Sequence, residues 1–232
     1  MSLYLVDLGH GIQIYQDDEG YGFTQDSVLL ANLAALAPND KVLDLGCGSG
    51  VLGFLALAKK HVRSVTGLEV QPDVADMCRK SVEFNNLGDK FEVLTGDVLD
   101  FKKHLKHGEF SKVLCNPPYF KQVEATDERL QGRQETTATL ADFVKAASFA
   151  LKYGGEMWIV LKVDRLSALF AALGENKLEP KLMWLIYPKP SVDVDMVVVK
   201  AKKGGKVGLE TKTLYVMDDD GNYTEQFNDL YR

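Results

Sequence analysis

The chain has 232 residues, 46% of them hydrophobic and 26% charged, a balance that suits a globular protein with one sizeable core and excludes disorder for its bulk. No apolar stretch reaches the roughly eighteen residues of a membrane-spanning helix, and the start MSLYLVDLGH lacks the basic head and long apolar segment of a signal peptide, so a cytoplasmic protein is expected. The net charge of −6 argues against a polyanionic partner only until its distribution is read: residues 1–40 hold Asp7, Asp17, Asp18, Glu19, Asp26 and Asp40 with no Lys or Arg, and the remainder is neutral.

After a hairpin expected between Ile12–Tyr15 and Tyr21–Phe23, Thr24 can cap a helix from Asp26 to Ala37. From there strands and helices alternate. Strands are predicted at 41–45, 64–70, 91–94, 113–115 and 156–161, and helices at 51–59, 72–85, 98–106, 140–151 and 164–175. Gly154-Gly155 reads as a helix stop, and Lys181–Tyr187 and Asp195–Ala201 close the series as strands, the latter followed by a Lys-Gly-Gly-Lys turn. Such alternation implies an α/β fold, a doubly wound and mostly parallel sheet of seven strands with helices on both faces, whose ligands belong at the C-terminal ends of the strands. The expected layout is a single domain over 1–232, with an N-terminal hairpin and helix (1–38), a catalytic core (39–201) and a C-terminal extension (202–232).

Cys47, Cys78 and Cys115 stand singly, without the spacing of zinc ligands, so no metal or disulfide is expected and core packing is. The histidines (His10, His61, His104, His107) show no ligand spacing either, and Trp158 and Trp184 read as core aromatics. Two lysine clusters, 102–106 and 200–206, are read first as solvated faces; they permit nucleic-acid binding without showing it.

Asp44-Leu45-Gly46-Cys47-Gly48-Ser49-Gly50 lies between the first strand of the alternation and its helix. Its glycines allow tight turning and close backbone approach, and the helix start offers N–H groups. A dinucleotide site is one reading, since residues 48–53 match GxGxxG and Glu69 closes the next strand about twenty residues on. Asp44 favours another: a carboxylate just before the glycines repels a pyrophosphate but suits an ammonium. The loop resembles the DxGxGxG motif of class I S-adenosylmethionine-dependent methyltransferases through Asp44, Gly46, Gly48 and Gly50. That resemblance implies S-adenosylmethionine as cofactor, with Glu69 on its ribose hydroxyls and Asp97 on its adenine amino group; Phe23, Val70, Val98 and Asn116 complete the expected cofactor set.

Asn116-Pro117-Pro118-Tyr119 ends the strand expected beside the first. The Asn116 side-chain oxygen and the Pro117 carbonyl can both accept from one NH₂, the prolines stiffen the turn, and Tyr119 offers a stacking face. The four residues resemble the [DNS]PP[YFW] motif of amino-methyltransferases that act on adenine N6, glutamine amides or guanine N2, which makes Asn116, Pro117, Pro118 and Tyr119 the candidate catalytic set.

Nearly the whole chain resembles the bacterial tRNA adenine-N6 methyltransferase family that modifies an anticodon-loop adenosine. Residues 21–31 (YGFTQDSVLLA) resemble its F-x-[ST]-x-D-x-x-L-L-A motif, Gly132-Arg133-Gln134-Glu135 its A-R-H-E segment with Gly132 and Gln134 departing, and Gly221-Asn222-Tyr223-Thr224 its D-G-x-Y-T tail. The resemblance implies an RNA substrate, tRNA in the first place; the sequence leaves the oligomeric state open, with a monomer favoured. Phe120–Thr139 is too long for a simple connection and reads as a functional segment. Tyr119 before it and Phe120, Arg129, Arg133 and Glu135 within it are the candidate substrate residues, although the acids of the segment make a solvated loop an equal reading of the charges alone. A protein glutamine methyltransferase, a guanine-N2 rRNA methyltransferase and a non-catalytic RNA- or cofactor-binding relative stand as alternatives.

Overall fold

The computed structural model describes residues 3–17, 25–118 and 138–231. Two strands, β1 (Leu3–Gly9) and β2 (Ile12–Asp17), pair antiparallel before the first helix, α1 (Gln25–Leu33). The described hairpin joins Leu3–Gly9 to Ile12–Asp17; Tyr21–Phe23, the partner expected for Ile12–Tyr15, and Thr24 lie outside the described residues. Gly9, His10 and Gly11 all take positive φ, which reverses the chain there. The other edge of β2 is satisfied by a helix, α3 (Pro72–Phe84): Tyr15 N–H donates to Ser81 Oγ, and Gln13 exchanges hydrogen bonds with Asn85 just beyond it.

The central sheet has eight strands in the order β10-β8-β9-β7-β6-β3-β4-β5. They are β3 (Lys41–Leu45), β4 (Ser64–Glu69), β5 (Phe91–Thr95), β6 (Phe110–Cys115), β7 (Leu151–Lys162), β8 (Leu178–Tyr187), β9 (Met196–Lys203) and β10 (Glu210–Tyr215). Only β9 runs against its neighbours. The eighth strand, β10, and a last helix, α7 (Glu225–Tyr231), come from the C-terminal extension, which shows no strand pattern in sequence because four of the first five residues of β10 are exposed. Gly154 and Gly155 sit inside β7, not before it. Gly154 takes φ +77° there, and the β6–β7 register shifts between Phe110 and Lys112.

α2 (Val51–Lys60) and α3 follow β3 and β4, a 3₁₀ turn (Val98–Asp100) and α4 (Phe101–His104) follow β5, and α5 (Leu140–Ala150) and α6 (Leu166–Glu175) flank β7. Thr139 and Asp142 close a capping box that starts α5 after the undescribed segment. Each face of the sheet carries its own core: Leu43, Val113 and Met157 pack with Phe143, Val144 and Leu173, whereas Val42, Leu114 and Trp158 pack with Leu29, Leu30 and Phe54. Trp158 is fully buried and Trp184 partly so. The three cysteines are buried and unpaired, as core packing requires.

From β3 the chain winds outward through β4 and β5, then returns to place β6 on the other side of β3. The crevice between β3 and β6 is where the helices part to opposite faces, which opens a binding cleft at the strand C-termini.

Candidate active site

The register aligns the motifs at that edge. Asp44 pairs with Gly67 of β4 and Leu114 of β6, while Glu69 pairs with Thr95 of β5. Glu69 ends β4, Asn116 immediately follows β6, and Asp97 follows β5 by two residues.

Asp44 is fully buried. Its Oδ2 accepts from Gly53 N–H at 3.1 Å, which ties β3 to the first turn of α2. Its Oδ1 has no hydrogen-bond partner among the described residues. Burial pushes the carboxyl up to about 7, against the lowering effect of the Gly53 hydrogen bond and with a further push from the Glu69 charge. A buried, half-satisfied carboxylate calls for a cationic partner.

The loop after Asp44 folds tightly: Gly46 and Cys47 N–H both donate to Leu68 O, and Gly50 N–H donates to Cys47 O at 2.8 Å. Gly50 takes φ +87°, and a Cβ there would lie 2.5 Å from Cys78 Sγ, so glycine is required on both counts. Glu69 is buried as well; Oε2 accepts from Gly48 N–H at 2.9 Å and Oε1 from Gln71 N–H at 3.0 Å. Its carboxyl is raised by burial, and the backbone hydrogen bonds partly oppose that. One carboxylate therefore clamps the glycine loop to the β4–α3 turn, with a further backbone hydrogen bond from Val70. Asp97 caps the 3₁₀ turn through Leu99 N–H at 2.8 Å, with Val98 buried beside it and Val70 partly buried across the cleft edge.

Asn116 is partly buried, Pro117 buried and Pro118 exposed. The Asn116 Nδ2 donates to Ser27 Oγ of α1 at 2.9 Å. Ser27 is a contact that the sequence reading missed, although it stands inside the matched stretch Gln25-Asp26-Ser27. Phe23, Tyr119, Phe120, Arg129, Arg133 and Glu135 lie outside the described residues, so the structure brings together the acids at the strand ends, the glycine loop, Asn116 and the two prolines.

The lysine clusters divide among structural tasks. Lys203 Nζ donates to Ser148 O and Leu151 O at the end of α5, Lys200 lies 5.7 Å over the Trp158 ring, and Lys103 pairs with Asp100. A cavity of about 200 Å³ lined by Lys41, Ser64, Lys90, Phe91 and Glu109 opens at the N-terminal ends of the strands, the edge away from these motifs.

The donor set fits S-adenosylmethionine. Asp44 Oδ1 suits its ammonium, Glu69 its ribose diol, and the glycines admit it close to the backbone without a phosphate-binding charge. No helix among the described residues is long and apolar enough to cross a membrane.

The model of the Methyltransferase small domain family matches residues 24–173. A Shewanella amazonensis protein named tRNA1(Val) (adenine(37)-N6)-methyltransferase is 30% identical over 227 residues, covering 93% of each chain. One of the same name from Shewanella sp. (strain MR-4) is 26% identical over 223 residues, covering 94% of each. Among solved structures, a predicted O-methyltransferase from Agrobacterium tumefaciens superposes with a TM-score of 0.74 at 25% identity, over 89% of this chain and 95% of that one. A geranyl diphosphate C-methyltransferase from Streptomyces coelicolor A3(2), bound to S-adenosyl-L-homocysteine, shares the fold at a TM-score of 0.58 and 17% identity, over 77% and 79%. The sheet order, the acids at its strand ends and these matches agree: the chain belongs to the Methyltransferase small domain family and is an S-adenosylmethionine-dependent methyltransferase of class I fold.

Proposed function

We propose that this enzyme methylates the exocyclic N6 of an adenosine in a tRNA anticodon loop, position 37 by analogy with the relatives' names. The observation that carries the reading is Asn116-Pro117 at the end of β6, beside the unsatisfied Asp44 carboxylate.

Asp44, Gly46, Gly48 and Gly50 would hold the amino-acid end of the cofactor, Glu69 the ribose, and Asp97 with Val70, Val98 and Phe23 its adenine. Bound S-adenosylmethionine supplies an electrophilic methyl carbon on a sulfonium. Asn116 Oδ1 and the Pro117 carbonyl accept the two hydrogens of the target amine. An exocyclic amine is a poor nucleophile because its lone pair is delocalised into the ring; accepting both hydrogens draws the nitrogen toward tetrahedral character and directs the lone pair at the methyl. Fixing that alignment can supply several kcal/mol of the barrier. The surplus proton passes to water once the nitrogen is cationic and acidic. Tyr119 stacks on the target base, and Phe120, Arg129, Arg133 and Glu135 contact the RNA around it.

A base in an anticodon loop is accessible because leaving a single-stranded stack costs only a few kcal/mol. A tRNA substrate places the enzyme in the cytoplasm. Residues 1–232 act as one domain, which the packing of the N-terminal hairpin on α3 and the joining of β10 to the central sheet support; the enzyme acts as a monomer.

The test is to incubate the protein with methyl-labelled S-adenosylmethionine and, separately, bulk tRNA, ribosomal RNA and cell protein, then digest the labelled fraction. N6-methyladenosine from tRNA is expected, and Asn116→Ala should abolish transfer while leaving cofactor affinity within about twofold. Label in glutamine or in guanine N2 would refute the adenine reading, and equal loss of transfer and cofactor binding in Asn116→Ala would refute the role given to that side chain.

A further inference from the structure

Asn116 has to present the correct end of its amide. The two ends are nearly the same size but opposite in character, Oδ1 accepting and Nδ2 donating, and the terminal torsion of asparagine is broad. With the donor end toward the target amine, N–H would face N–H and the substrate would be repelled.

The structure supplies a partner for the donor end. Asn116 Nδ2 points at Ser27 Oγ, 2.9 Å away and 89 residues distant in sequence. Ser27 lies in the first turn of α1 and is 8% exposed. That helix is a firm mount: Leu29 and Leu30 are buried in the core that also holds Leu114 and Trp158, and the Asn32 side chain is fastened by Lys59 Nζ from α2.

We propose that Ser27 is a positioning residue for Asn116, accepting from Nδ2 so that the amide plane is fixed and Oδ1 is the end turned away from α1 toward the target amine. This rests on the reading of Asn116 as the amine acceptor. A flipped amide would still find the serine proton, but it would then meet the amine donor to donor. The serine fixes the amide plane before the substrate arrives, and serine and substrate together select the orientation. Ser27 does not bear on the reaction except through Asn116, so its loss should slow transfer without weakening the binding of either reactant.

Ser27→Ala, Ser27→Thr and Asn116→Ala are compared with the wild type on bulk tRNA with methyl-labelled S-adenosylmethionine, alongside cofactor affinity by calorimetry and the melting temperature. Ser27→Ala is expected to lower kcat about tenfold, with KM for tRNA and Kd for the cofactor changed less than about twofold and melting unchanged; Ser27→Thr, which keeps the hydroxyl, restores kcat. A wild-type kcat in Ser27→Ala, a loss that appears in KM or Kd instead, or an equal loss in the alanine and threonine variants would overturn the proposal. Asn116→Ala separates the two readings. If it is inactive while Ser27→Ala is normal, only the serine proposal fails; if it transfers methyl at the wild-type rate, or the wild type leaves tRNA unlabelled, the underlying reading fails and takes the serine proposal with it.

Discussion

Asp44→Asn removes a charge from the least hydrated place in the site while keeping its shape. The wild-type carboxyl is fully buried, one oxygen has no partner among the described residues, and its pKa is pushed from 3.8 to about 7. Because the folded state holds this proton more tightly than the unfolded state does, the stabilisation is complete below about pH 4. It erodes as pH rises and is gone above about pH 7. Every tenfold gain in proton affinity on folding corresponds to about 1.4 kcal/mol, so the full swing is about 4 kcal/mol, of which about 3 kcal/mol falls between pH 5 and pH 8. Asparagine cannot titrate, and its amide oxygen can still accept from Gly53.

Urea unfolding of the two cofactor-free proteins at pH 5 and pH 8 tests this. The stability difference between wild type and Asp44→Asn should move by about 3 kcal/mol in favour of the mutant on going to pH 8. The cofactor reverses the preference, since an ammonium stabilises the ionised carboxylate. The wild type should release close to one proton on binding below pH 7 and bind more tightly as pH rises from 5 to 7, by up to about tenfold for each pH step of one. Asp44→Asn should bind weakly and without that slope. Parallel stability profiles for the two proteins between pH 5 and pH 8 would refute the argument, because they would mean that Asp44 is ionised in the free enzyme without cost.

Two further perturbations test how the site is held. Gly50→Ala forces a side chain into a left-handed conformation and within 2.5 Å of Cys78 Sγ, so a loss of about 2–5 kcal/mol is expected from strain and overpacking together; a urea midpoint close to that of the wild type would contradict it. Lys59 Nζ holds Asn32 Oδ1 at 2.5 Å and the Leu230 carbonyl at 3.1 Å, joining α2, α1 and α7. Lys59→Ala should cost about 1.5–3 kcal/mol and speed hydrogen exchange in α7 well before the central strands, whereas unchanged exchange at residues 225–231 would show that the ammonium does not anchor that helix.

The class of the fold was legible in the chain because buried parallel strands such as Lys41–Leu45 put apolar residues on both faces, Val42 on one and Leu43 and Leu45 on the other, and their helices begin at recognisable signals, Pro72 at the start of α3 among them. Strand β1 was not legible because Leu3–Leu8 lacks clean alternation and is exposed at Leu3, Tyr4 and Leu5, so only the reversal at Gly9–Gly11 and the pairing with β2 define it. Strand β10 escaped notice for a similar reason: it lies at the sheet edge, where pairing to β8 holds it and Leu214 is the one buried residue of its six.

Residue types and local spacing alone determined the alternation of elements, the glycine loop, the acids that end successive strands and the Asn-Pro-Pro turn, since each is a property of a few neighbouring residues. Tertiary structure decided the strand order that brings Asp44 beside Asn116, the burial that raises the Asp44 carboxyl, and the contact of Ser27 with an asparagine 89 residues away. Those depend on which segments meet in space and on how much water their meeting expels, and neither quantity is carried by any short stretch of the chain.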